Sequence, residues 1–149
     1  MKYSAVCCFL ICFSATFGCN SAGSNLPKTV PAAGVVTLDG KPVDGAQVVL
    51  VTPPGEGVTG ATAVTDSSGH FELRAFPEKP GAIPGNYQVQ VSKTIQVKVE
   101  GAKGTVDGGD PVRFEYGVPA KYTGYKTSGL SVTIPDTGKR DINFALTSK

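Results

Sequence analysis

The 149-residue chain has no tryptophan, one histidine, and few charged residues, at 17%. Any Ser-His-Asp assembly would have to use His70, and no nucleophile motif surrounds any serine. Without tryptophan, an aromatic platform for sugars would rest on tyrosine and phenylalanine alone. The four cysteines, Cys7, Cys8, Cys12 and Cys19, all fall early, and none occurs in the remaining 130 residues. A folded domain beyond them has no disulfide and no thiolate metal site, which suits export to an oxidising compartment without requiring it. The net charge is +2, with Lys and Arg scattered among Asp and Glu. No basic stripe forms, which argues against a nucleic-acid partner. Amphipathic helical periods longer than two turns are absent as well.

What is abundant is turn chemistry: 19 glycines and 11 prolines, about a fifth of the chain. With 40% hydrophobic residues, a single packed core of ordinary size is expected, burying roughly two-thirds of the unfolded surface. Residues 34–75 carry the clearest pattern. Asp39-Gly40 and Asp44-Gly45 lie between apolar runs, where Asp-Gly favours tight hairpins because both central residues take positive φ. A β-meander is expected, with the strand at 34–38 beside the strand at 46–51. After Asp66-Ser67-Ser68-Gly69, the residues Phe71, Leu73 and Ala75 alternate with His70, Glu72 and Arg74, the period of a half-buried strand.

Further strands are expected at 60–65, 86–93, 130–134 and over the last apolar residues Ile142, Phe144 and Leu146. Tyr87, Val89 and Val91 share one parity and Gln88, Gln90 and Ser92 the other. That alternation continues through Ile95, Val97 and Val99, and a run so long exceeds one core strand. It reads as a strand that leaves the body near Lys93 and becomes one arm of a projecting hairpin, with Val112, Phe114 and Tyr116 on the return arm. One inner parity is expected to hold Ile95, Val97, Val99, Val112, Phe114 and Tyr116. Seven core strands and one excursion result. Phe71, Val89, Leu130 and Phe144 are expected in one core.

The N-terminus carries an address. Lys2 precedes an apolar run at 5–13, then small residues and Gly18-Cys19, in the order of a secretory signal. The run is too short to span a bilayer. Thr16-Phe17-Gly18-Cys19 resembles the lipobox of bacterial lipoproteins, in which the cysteine becomes the first mature residue and carries lipid; Gly18 and Cys19 match, while Thr16 and Phe17 depart. The resemblance implies a signal peptide over 1–18, lipidation of Cys19 and attachment to a membrane. Asn20 favours the outer membrane, with a secreted or periplasmic protein as the alternative. Residues 19–31, rich in Ser, Gly, Asn and Pro, read as a flexible tether. The domain is expected over 32–149.

The order Gly34-Val35-Val36-Thr37-Leu38-Asp39-Gly40-Lys41-Pro42-Val43, then Gly45-Ala46, Thr65-Asp66, Gly69, Phe71 and Leu73, and later Pro84-Gly85-Asn86-Tyr87, resembles the carboxypeptidase regulatory-like domain. Small bacterial lipoproteins of that fold share segments like Val118-Pro119-Ala120-Lys121-Tyr122 and Thr127-Ser128-Gly129-Leu130. The resemblance implies an all-β, seven-stranded, transthyretin-like Greek-key β-sandwich. Transthyretin-fold hydrolases of the purine pathway use several histidines, an arginine and a distinctive C-terminal tetrapeptide; with His70 alone and an Ala145-Leu146-Thr147-Ser148-Lys149 end, that activity is not expected.

The remaining sites are candidates for contact. His70 lies on the polar parity of its strand, so it is expected to be exposed. Asp66 with its serines reads as a turn, lacking the alternating acidic loop of a calcium hand. Asp107 and Asp110 in the glycine-rich tip offer oxygen ligands, but no metal or cofactor is expected. Tyr116, Tyr122 and Tyr125 are the candidate partner-binding residues, because such rings supply contact area at low entropy cost. The function expected is that of a non-enzymatic envelope lipoprotein, a structural or protein-interaction module, with a carbohydrate-binding module of the same fold as the alternative.

Overall fold

The computed structural model describes residues 26–53, 60–98 and 112–149. Cys19, Val99, Asp107 and Asp110 lie outside the described residues. The regular structure of the described residues is nearly all strand, with two sheets that enclose one core, an all-β sandwich.

Chain order begins with β1 (Ala32–Leu38), β2 (Lys41–Pro42), β3 (Gln47–Val51), β4 (Ala61–Val64), β5 (His70–Glu72) and β6 (Arg74–Phe76). It continues with β7 (Lys79–Pro80), β8 (Gly85–Ser92), β9 (Thr94–Lys98), β10 (Val112–Tyr116), β11 (Leu130–Ile134) and β12 (Lys139–Leu146). In the first sheet β1 is central: β12 pairs with it in parallel along one edge, while β2 and β5 pair with it antiparallel along the other. The second sheet runs β11-β8-β3-β4-β6-β7. β9 and β10 form a separate two-stranded ribbon.

The Asp39-Gly40 turn has positive φ at both residues, 49° and 79°, and closes the short hairpin of β1 with β2. At Asp44-Gly45 only the glycine is left-handed, with φ 63°. That turn does not fold the chain back on itself but carries it to the other sheet. The expected meander, with the strands at 34–38 and 46–51 as neighbours, is therefore corrected: β1 and β3 lie in opposite sheets. Thr65 fastens the crossing, its buried hydroxyl donating to the Val43 carbonyl (2.6 Å) and accepting from the Ala46 N–H (2.8 Å).

The strand expected through Phe71 and Ala75 is likewise split. β5 pairs with β1, β6 pairs with β4, and Leu73 marks the corner between the two sheets. The Leu73 N–H donates to Ala32 and its carbonyl accepts from Gly81, so the bend leaves its backbone satisfied. Alternation does not register such a bend, because Phe71 before the corner and Leu73 at it are both buried.

Inward residues of the first sheet, Val36, Phe71, Ile142, Phe144 and Leu146, meet Val48, Leu50, Tyr87, Val89, Val91 and Ile134 of the second. Phe71 and Phe144 stack at 5.7 Å with planes 6° apart. Leu130 is only partly buried against this core. On the outer face of the second sheet, the rung Gln90–Val49–Thr62–Arg74 follows from the register.

The folded part also begins earlier than expected. Residues 29–31 are not tether: Val30 is buried and exchanges main-chain hydrogen bonds with Ala82, at 2.8 and 3.0 Å. An apolar valine with a free sheet edge beside it gains both burial and two hydrogen bonds by docking.

Candidate interaction surfaces

The Asp66 turn is closed on itself. Its carboxylate accepts from the Ser68 N–H (2.8 Å), the Ser68 hydroxyl (2.6 Å) and the His70 N–H (3.0 Å). The Ser68 hydroxyl first, and the two N–H groups with it, hold the Asp66 carboxyl below its ordinary value. The carboxylate is thus spent on the turn. His70, next to it, is exposed on β5. Among the described residues no three His, Cys, Asp or Glu side chains gather closely enough to hold a metal ion.

Tyr122 sits in a 3₁₀ turn, Ala120–Thr123, and is buried at 6% exposure, with its ring in the core cluster. Its hydroxyl accepts the Thr147 N–H at 3.0 Å and lies 3.3 Å from the Thr147 hydroxyl. Those contacts, the Thr147 side chain foremost, pull the phenol below its ordinary value. Lys121 covers the ring at 4.9 Å and donates to the Lys149 main-chain oxygen at 2.7 Å. Across the same tail the Ser148 N–H donates to Asp39 at 3.1 Å. Hydrogen bonding from Ser148 lowers the Asp39 carboxyl. Tyr122 is thus a latch for the tail after β12, and as a ring offered to a partner it is corrected: an apolar ring with a bonded hydroxyl is satisfied inside. The spacing of Lys121, Tyr122 and Thr147 along the chain gives no hint of this latch, since only the fold brings position 122 to position 147.

Tyr125 is half-buried, with Lys126 Nζ 5.7 Å from its ring. Tyr116 is 67% exposed on β10 and Phe114 62%. The ribbon's register corrects the expected shared parity. Ile95 pairs with Glu115 and Val97 with Arg113, whereas Phe114 pairs with Gln96 and Tyr116 with Thr94. Directly paired residues project to the same face of a sheet. The apolar residues of the two arms therefore lie on opposite faces, and neither face is a continuous apolar stripe. One carries Ile95 and Val97 beside the Arg113–Glu115 ion pair; the other carries Phe114 and Tyr116 beside an amide and a hydroxyl. Period alone could not reveal this, because each arm alternates correctly and only their mutual register differs.

The outer face of the second sheet is a further surface. Gln47, Val49, Thr62, Val64, Gln88, Gln90, Ser131 and Thr133 alternate with buried neighbours along β3, β4, β8 and β11, and none is charged. Such a face offers amide and hydroxyl hydrogen bonds to a molecule laid across the strands. An open groove of about 240 Å³ lies near the start of β1, rimmed by Thr29, Glu72, Pro80 and Arg140.

No helix among the described residues is long and apolar enough to cross a membrane. No curated protein matches the sequence. A crystal structure of a 9R-lipoxygenase from Cyanothece PCC8801 is similar at 16% identity, with a TM-score of 0.39, over 80% of this chain and 16% of that one. The chain therefore spans less than a fifth of the lipoxygenase's length. Residues 32–106, from the first residue of β1 to beyond β9, match a family profile. Since that match covers half of the sequence, the chain belongs to the family described as Domain of unknown function (DUF6795).

Proposed function

We propose that this protein is an exported, lipid-anchored β-sandwich that binds protein partners at the cell envelope and catalyses no reaction. The observation that carries the interaction role is the ribbon of β9 and β10, which holds Phe114 and Tyr116 exposed. An isolated two-stranded ribbon is marginal in water, so a ribbon bearing two exposed aromatic rings gains from a partner. The order Lys2, apolar 5–13, Gly18-Cys19 supports the address, the lipobox resemblance of Thr16-Phe17-Gly18-Cys19 supports the anchor, and Asn20 supports the outer membrane as its site.

Two measurements test this reading. Cys19→Ala should release the protein from the membrane fraction, and mass spectrometry of the wild type should find lipid on Cys19. Several chains are needed, since a single acyl chain holds a protein only reversibly. In a pull-down from solubilised envelope, Phe114→Ala with Tyr116→Ala should lose the proteins that the wild type captures. Equal capture by the double variant would remove the ribbon from the function.

A second reading, binding of a neutral polysaccharide, is supported by the amide and hydroxyl side chains that β3, β4, β8 and β11 present on the outer face of the second sheet. On that reading Gln88→Ala and Gln90→Ala lower retention on envelope polysaccharide while the ribbon variants do not.

A further inference from the structure

The edge of a sheet exposes main-chain groups that can pair with another chain, and short length, charge or proline ordinarily guards it. Among the described residues every edge strand but one is guarded in this way. β2 and β7 are two residues long and each consists of a lysine and a proline, β5 carries His70 and Glu72, and β12 carries Lys139, Arg140 and Asp141. In the ribbon, β9 ends on Lys98 and β10 holds Arg113 and Glu115. β11 closes one side of the second sheet, and its residues, Leu130 to Ile134, include neither charge nor proline.

The buried Ser128 hydroxyl accepts from the Leu130 N–H at 3.1 Å and donates to the Val89 carbonyl at 2.5 Å, so Leu130 turns its main chain toward β8. Along an antiparallel strand the main-chain groups turn alternately to one side and the other. Leu130, Val132 and Ile134 therefore face β8, while the N–H and C=O of Ser131 and Thr133 point away from it, where no described strand pairs with them. The side chains alternate in step: Val132 and Ile134 are buried and Leu130 partly so, whereas Ser131 and Thr133 are exposed. An open cleft of about 640 Å³, lined by residues of β11 and β12, lies beside this edge.

We infer that the free edge of β11 is the seat of a second copy of this chain, whose own β11 adds antiparallel about a two-fold axis at Val132. What commits the edge to a copy is that β11 reads the same in either direction, aliphatic and hydroxyl residues alternating about Val132. In that register Ser131 exchanges both main-chain hydrogen bonds with Thr133 of the partner subunit, and Thr133 does so with Ser131 of the partner subunit. Every outward N–H and C=O of both strands is then matched. Directly paired residues project to the same face, so Leu130 meets the partner's Ile134 on the core side and hydroxyl meets hydroxyl on the outer side. Leu130, left partly exposed by one copy, is thereby covered. Only this centre keeps all residues of both strands paired. The assembly requires neither the lipid anchor nor the ribbon, and it leaves the Phe114 and Tyr116 face free.

The test uses the full chain with Cys7, Cys8, Cys12 and Cys19 each replaced by serine, so that neither lipid nor a native thiol takes part. Sedimentation equilibrium should find a dimer that dissociates on dilution. Ser131→Lys with Thr133→Lys sets like charges directly opposite one another on the exposed face, and should move dissociation to several-fold higher concentration with circular dichroism and the thermal transition retained. The register is read by oxidising a mixture of the Ser131→Cys and Thr133→Cys chains. Their positions face each other with Cα atoms about 5.5 Å apart, within disulfide reach, whereas each position and its own copy are diagonal at about 7–8 Å. The mixed disulfide should therefore form several-fold faster than either symmetric one. A monomer at every concentration, undiminished dimerisation of the folded lysine variant, or no preference for the mixed disulfide would each overturn the pairing.

Discussion

The stacked pair of Phe71 and Phe144 is the most quantitative prediction of the core. The rings come from β5 and β12, which flank β1 on opposite sides. Where Phe71 is registered on β1 the chain has Gly34, so no side chain there separates the two rings. Each ring is almost wholly buried, and truncating either to alanine costs about 3–5 kcal/mol in transfer and cavity terms. For a domain of this size that lowers the midpoint of thermal unfolding by about 12–20 °C. The stack itself accounts for about 0.5–1.5 kcal/mol beyond area. Phe71→Ala, Phe144→Ala and the double variant, unfolded in urea, therefore form a cycle in which the double variant loses less than the sum of the singles. Single losses under about 1 kcal/mol would mean the rings are not in the core. Strict additivity would mean that the stack adds nothing to their burial. Gly34→Ala probes the same place from the backbone, because a Cβ there collides with the main chain and Cβ of Ile142. A loss of about 1–3 kcal/mol is expected.

Three further outcomes follow from particular contacts. Replacing residues 94–116 by a tight two-residue turn should leave a cooperative thermal transition and β-type circular dichroism, since the Gly117 N–H already meets the Lys93 carbonyl at 2.8 Å; an unfolded product would make the ribbon part of the core. Tyr122→Phe keeps the ring and removes the hydroxyl that accepts from Thr147, and should lower stability by about 0.5–1.5 kcal/mol in denaturant titration. An unchanged midpoint would show that the tail is not latched. Asp39 and Asp66 have carboxyls held below their ordinary value of 3.8, so the stability they lend is present above that pH and is lost as the pH falls through their lower folded values. Asp66→Asn should flatten the acid limb of the stability profile, and an unaltered limb would remove the turn from the account.

Much of this fold is written locally. Alternation over β8, β11 and β12 predicts which side of each strand is buried, because period 2 is fixed by the pleat and needs no partner. The Asp39-Gly40 hairpin follows equally from the φ its two residues adopt. The departure of a ribbon after Lys93 follows from length alone. The self-contained Asp66 turn and the exposure of His70 need only a few neighbouring residues. The tertiary structure decides everything that depends on two distant segments meeting. It sends the chain across to the second sheet at Asp44-Gly45, bends it at Leu73, and docks Val30 on Ala82. It also sets the ribbon's register, which separates Ile95 and Val97 from Phe114 and Tyr116, and it draws Tyr122 inward to Thr147. A strand's own alternation is the same whichever sheet it joins and whichever residue it faces. Which partner it takes depends on which pairing buries the most surface and leaves the fewest hydrogen bonds unmade, and that comparison exists only once the whole chain is packed.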